Sequence, residues 1–117
     1  MITGMHSIVY ASDADAARAF FRDVLGLPWV DAHDGWLIFR QPPSELAVHP
    51  STDQSGTHEL FLMCDDIERT MAELTASGAE FSGPVTRASF GLMTSVVIPG
   101  GGTIGLYEPR HRTAYDL

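Results

Sequence analysis

Five histidines, fifteen acidic side chains and one cysteine are the groups in this 117-residue chain that could do chemistry. Their settings differ. His6 opens a short apolar run, Ile8 to Ala11. His49 closes an alternating run in which Glu45, Ala47 and His49 share one face of a strand. His58 and Glu59 stand side by side ahead of a third apolar run, Leu60 to Cys64. Successive strand residues point to opposite faces, so only one of that pair can face a given cleft. A strand histidine more often holds a hydrogen bond or meets solvent than binds a metal, and Glu59 equally fits an exposed strand carboxylate. His33 and His111 fall in a turn and in a polar tail, and both read as solvated. Cys64, being alone, excludes an internal disulfide. In its apolar run it reads as a small hydrophobe. No Ser-His-Asp arrangement can be defended from the spacing. Pro99-Gly100-Gly101-Gly102 joins two strands. It lacks the helix whose N-terminus would bind phosphate.

The elements that must position these groups repeat. Ser12 and Asp13 can cap a helix. Ala17, Phe20, Phe21, Val24 and Leu25 then recur at three- and four-residue spacing, predicting a helix over Ala14 to Leu25. Gly26 ends it and Pro28 keeps it from resuming. The second half reads the same way. The Leu60–Cys64 run is followed by an acidic cap at Asp65 and Asp66, and a helix over Ile67 to Ser77 carries Ile67, Met71 and Leu74 on one face, with Gly78 behind it. Asp13 precedes Gly26 by 13 positions, and Asp65 precedes Gly78 by 13. An internal duplication is therefore the organising feature. Further strands are expected over residues 1–11, 29–31, 36–40, 45–49, 57–64, 85–88, 92–98 and 103–107. Asp34-Gly35 marks a hairpin turn and residues 50–56 a connecting loop. The polar tail from Pro109 to Leu117 packs loosely or reaches a partner. The expected fold is α+β, two tandem βαβββ modules (1–52 and 53–117) in one domain. Each module buries one sheet face under its helix, and together the two form a curled mixed sheet around a cleft.

Composition bounds the partners. The net charge is −8, with seven arginines and no lysine, which argues against nucleic acid and mildly against an anionic membrane. Hydrophobic residues make up 44%, as in an ordered globular protein. No apolar stretch approaches a membrane span and no signal peptide is recognisable, so a cytoplasmic location is the default expectation. Trp29, Trp36, Phe39, Phe61, Met63, Phe90 and Tyr107 could wall an apolar pocket for a small molecule, although most would serve equally well as core. Gly91 is expected in a mobile loop over the cleft.

Taken in order, these motifs resemble the vicinal oxygen chelate superfamily, which includes glyoxalase I, the bleomycin-resistance proteins and the extradiol dioxygenases. The resemblance rests on His6, Asp13 and the following AARAFFRDVLG, on Cys64-Asp65-Asp66-Ile67 through Leu74 to Gly78, and on the closing PGGGTIGLYEP of Pro99 to Pro109. It covers nearly the whole chain and implies the fold described above. That fold hosts lyases, isomerases, oxygenases and plain binding proteins.

The family's metal site takes one side chain from each of four cleft strands. His6 matches the first position. The second falls near Ala47, with His49 two residues on along the same face. The third falls on Glu59, seven residues before Asp66, or on His58, seven before Asp65; Glu59 fits the helix spacing better. The fourth falls on Gly105, which has no ligand, so the expected carboxylate is missing. The resemblance thus implies a set of His6, His49 and Glu59 for a divalent ion (Fe, Mn, Ni or Zn), to which a substrate would chelate through two oxygens. Trp36, Phe61 and Tyr107 would contact substrate. Tyr107 and Glu45 are the only candidate bases. The first reading is a metal-dependent enzyme of dioxygenase or glyoxalase type; the alternative is a metal-free protein that sequesters an antibiotic-like small molecule. The resemblance also implies a homodimer.

Overall fold

The computed structural model describes residue 1 and residues 5–117. Asp13 caps the first helix, its carboxylate accepting from the Ala16 amide at 3.0 Å. Helix α1 (Ala14–Ala19) runs on without a break into one π-helical turn, Phe20–Val24. Asp66 caps α2 (Ile67–Ala76) in the same way, accepting from Arg69 N at 3.1 Å. Gly26 and Gly78 follow the two helices with φ of 68° and 101°. The matching caps are therefore Asp13 and Asp66, not Asp13 and Asp65. The first helix carries one residue more between cap and glycine, and a π turn accommodates one extra residue without breaking the helix.

The strands divide unequally. In the first half, β1 (Trp29–Asp31) and β2 (Leu37–Phe39) form an antiparallel hairpin. Asp34 and Gly35 take positive φ at its turn, and the Asp31 carboxylate accepts from the amides of His33 and Gly35. The second half builds a four-stranded sheet from β3 (Phe61–Met63), β4 (Thr86–Ala88), β5 (Gly91–Val97) and β6 (Thr103–Pro109), in the order β3-β6-β5-β4. β3 runs parallel to β6, and the other pairs are antiparallel. Residues 2–4, the start of the expected first strand, lie outside the described residues. Residues 5–11 and 45–49 join no ladder, against expectation. Ile8, Tyr10, Leu46 and Val48 point to solvent, so no sheet face rewards the alternation there. Gly91 is no mobile loop either. It opens β5 directly after a two-residue turn, Ser89-Phe90.

One core draws on both halves. Ala17 and Phe20 of the first helix pack with Ala79, Val96, Ile98 and Ile104, and Leu62 and Leu74 join them. Both helices thus lie over the same face of the second half's sheet. The glycine turn seats the first helix. Ser12 N and Oγ both donate to the Gly100 carbonyl, at 2.6 and 3.1 Å. A Cβ on Gly100 would sit 2.6 Å from the Asp13 Cβ, and one on Gly101 would sit 2.8 Å from Ile98 and 3.2 Å from Ala11. Glu108 ties β6 to the other helix, its Oε1 accepting from Ile67 N at 2.9 Å. Among the described residues no helix is long and apolar enough to cross a membrane.

Candidate functional site

Strand alternation assigns the sheet's two faces. Leu62, Thr94, Val96, Ile104 and Leu106 point toward the helices. Phe61 and Met63 of β3, Gly105 and Tyr107 of β6, and Met93 and Ser95 of β5 share the other face. That face is floored by aromatic rings lying on glycines. Phe61 sits across from Gly105 in the ladder, and its ring covers the glycine so closely that a Cβ there would overlap it. Tyr107 covers Gly91 in the same manner. A glycine on each strand is what lets the rings lie flat on the backbone.

Tyr107 is the hub. Its ring lies 5.9 Å from Phe61, 5.8 Å from Phe90 and 5.8 Å from the stacked His111 imidazole. His49 meets the far side of Phe90 at 6.2 Å. The Tyr107 hydroxyl donates to the Phe90 carbonyl at 2.9 Å. Burial, and then the neighbouring Glu45 carboxylate, push the phenol above the ordinary tyrosine value. Tyr107 is thus a neutral hydrogen-bond donor at physiological pH, not a base. Glu45 turns its own carboxylate inward to this cluster. Its Oε2 accepts from Ala114 N at 2.7 Å, and its Oε1 lies 3.7 Å from His111 Nε2. His111, expected to be solvated, is therefore a member of the site. A tail histidine carries no signal in the sequence for that role, because the stacking depends on where the chain turns after β6.

At the other end of the face lies a groove of about 330 Å³ that includes Glu59, Phe61, Ser82, Met93 and Ser95. Glu59, two residues ahead of β3, lines this groove together with Phe61. A hollow of about 590 Å³ sits apart from the aromatic floor, between Leu27 and the segment 40–44. Arg40 is its one charged lining residue.

The candidate side chains are only partly gathered. Phe61 and Tyr107 are together. Trp36 lies on the hairpin instead, beneath the Arg18 guanidinium at 4.7 Å. His49 joins through Phe90, Glu59 lies at the groove end, and His6 is exposed. Among the described residues no three His, Cys, Asp or Glu side chains gather where they could hold a metal ion. At Gly105, where the resemblance implies the fourth ligand position, a phenyl ring occupies the space above the backbone. In the single chain, then, the residues present do not fit a divalent ion. Burial is the main cause that pushes the Cys64 thiol above its ordinary value.

A family model of the glyoxalase/bleomycin resistance protein/dioxygenase superfamily matches residues 4–110. The chain belongs to this superfamily. Solved structures share its fold. TnmS3, an antibiotic-binding protein from Streptomyces sp. CB03234, superposes with a TM-score of 0.65 at 22% identity, over 93% of this chain and 98% of its own. A lactoylglutathione lyase from Agrobacterium tumefaciens gives 0.63 at 21%, over 91% and 92%. A superfamily member from Sphaerobacter thermophilus DSM 20745 gives 0.62 at 22%, over 92% and 98%. No curated protein matches the chain. At these identities the likeness is one of fold, which the superfamily combines with binding and with catalysis.

Proposed function

We propose that this superfamily member is a binding protein that sequesters a planar aromatic small molecule, without metal and without turnover. The observation that carries the reading is the Phe61 ring on Gly105. It puts an apolar surface where a metal-dependent member would need a ligand. Phe61, Tyr107 and Phe90 offer ring faces for stacking, worth about 0.5–1.5 kcal/mol per pair beyond area burial. The acidic chain, at −8, favours a neutral or cationic guest. The antibiotic-binding neighbour is in keeping with this.

The metal-dependent enzyme, acting on a small molecule that chelates through two oxygens, is the second reading. It is favoured by Glu59 lining the groove beside Phe61. It needs His6 and His49 brought to Glu59, which a homodimer could do by closing the cleft across two copies. The surface supports a homodimer in this reading. The chain exposes 8672 Å², against about 6,200 Å² for a compact monomer of its mass. Its radius of gyration is 15.0 Å, against about 13.4 Å expected. The excess is the size of an obligate interface, and Ile8, Tyr10, Leu46 and Val48 supply apolar area for one.

The deciding experiment is metal analysis of protein purified without chelator, beside a His6→Ala, Glu59→Ala variant, followed by a thermal-shift ligand screen. The binding reading expects no stoichiometric metal, no uptake of added Fe(II), Mn(II), Ni(II) or Zn(II), and stabilisation by aromatic ligands that Phe61→Ala abolishes. One ion per chain that is lost in the double variant would establish the metal enzyme instead.

A further inference from the structure

We infer that the C-terminal tail is a strap, latched by Glu45 over the aromatic floor, that competes with ligand for Tyr107. The inference rests on the cleft being the binding surface proposed above. The last strand ends at Pro109, yet the chain does not leave the sheet there. Arg110 N donates to the Phe90 carbonyl at 2.8 Å. The His111 ring then stacks on Tyr107 with 27° between the planes. Ala114 N reaches one oxygen of Glu45 and His111 Nε2 approaches the other, so one carboxylate holds the tail at two points.

Glu45 is unusual in its own segment. Its side chain is 17% exposed, whereas the flanking apolar Leu46 is 81% exposed. Turning a carboxylate inward and a leucine outward reverses the ordinary preference. The inward carboxylate gains an amide donor from a residue 69 positions away. A hydrogen bond to an ionised acceptor is roughly twice as strong as a neutral one. The rest of the tail is lightly held. Tyr115 and Leu117 are exposed, and among the described residues the remaining tail bonds are local, His111 Nδ1 with Arg112 O and Leu117 N with Ala114 O. A segment with few buried contacts and one charged anchor opens far more readily than the sheet beneath it. A guest stacking on Tyr107 needs the space His111 occupies, so closing the strap lowers the apparent affinity by the fraction of open chains.

The test uses the full-length chain, with proflavine, a planar aromatic cation, as the probe. In Glu45→Ala, hydrogen exchange at the Ala114 amide is expected to speed up about tenfold or more, as for loss of one charge-assisted hydrogen bond, while the Val96 amide keeps its rate. A neutral nitroxide in solution should broaden the Tyr107 ring signals more strongly than in the parent chain. Proflavine should bind several-fold tighter to both Glu45→Ala and His111→Ala, the former despite losing a negative charge. Unchanged exchange at Ala114 overturns the latch. Faster exchange without greater exposure of Tyr107, or proflavine binding that neither substitution tightens, overturns the cover. Faster exchange and greater exposure, with no proflavine bound by any of the three chains, uphold the strap and sink the aromatic-binding reading instead.

Discussion

The two halves of this chain start alike and finish differently. Each has an aspartate cap, an amphipathic helix and a left-handed glycine. The second half goes on to a four-stranded sheet with seven-residue strands at β5 and β6. The first goes on only to a hairpin of three-residue strands, and its stretches 5–11, before the helix, and 45–49, after the hairpin, join no ladder. The difference begins at the connections. Pro99 to Gly102 folds β5 back onto β6 in register over the whole strand, whereas Pro42-Pro43 supplies no amide donor where a third strand would have to pair. The first helix then finds its apolar partner in the other half's sheet. The same local signals thus specify a helix twice, but one sheet serves both.

The contrast can be broken by paired substitutions. Leu106→Ala removes a side chain 1% exposed and should cost about 3 kcal/mol in urea unfolding. Leu46→Ala, in the open segment, should cost under about 0.5 kcal/mol in the monomer. A loss at Leu46 that approaches that at Leu106, and grows with protein concentration, would show a second copy covering the first half. Next in size is the glycine turn. Gly100→Ala meets both a φ of 70° and the Asp13 backbone, so about 2 kcal/mol or more is expected. Gly35→Ala, at φ 86° with nothing within 4 Å, should cost only about 1 kcal/mol by thermal melting.

Two smaller effects probe the aromatic floor. The folded chain holds the Tyr107 phenol above its unfolded value, so the fold favours the neutral form. That contribution is fully present below the unfolded tyrosine value, near pH 10, and is lost as pH rises through the higher folded value. Melting curves across the alkaline range should show the loss, and Tyr107→Phe should remove that part of it. Smallest of all, Cys64 should alkylate with iodoacetamide more slowly than a free thiol at pH 8, since burial disfavours its thiolate. Rapid labelling would mean that β3 opens locally.

Much of this was legible in the residues. The helices were readable because caps, period and terminal glycines are local signals, and the superfamily followed from their order. Counting back from Asp66 singles out Glu59, which lines the groove beside Phe61. Phe61 and Tyr107 were readable as aromatic strand residues, but not the glycines beneath them, because a ring lying on Gly105 depends on the parallel pairing of β3 with β6. The strands expected at 5–11 and 45–49 have the right alternation, but alternation states only which face is apolar, not whether a neighbour exists to pair with.

The sequence by itself determined the two capped helices, the net acidic charge and the family. Each depends on residues close together in the chain or on simple sums over it. Tertiary structure alone decided that both helices share one sheet, that phenyl rather than carboxylate fills the space above Gly105, and that Glu45 and His111 meet across the chain. Those outcomes depend on strand pairing and on long-range closure, whose free energies arise only when distant segments pack.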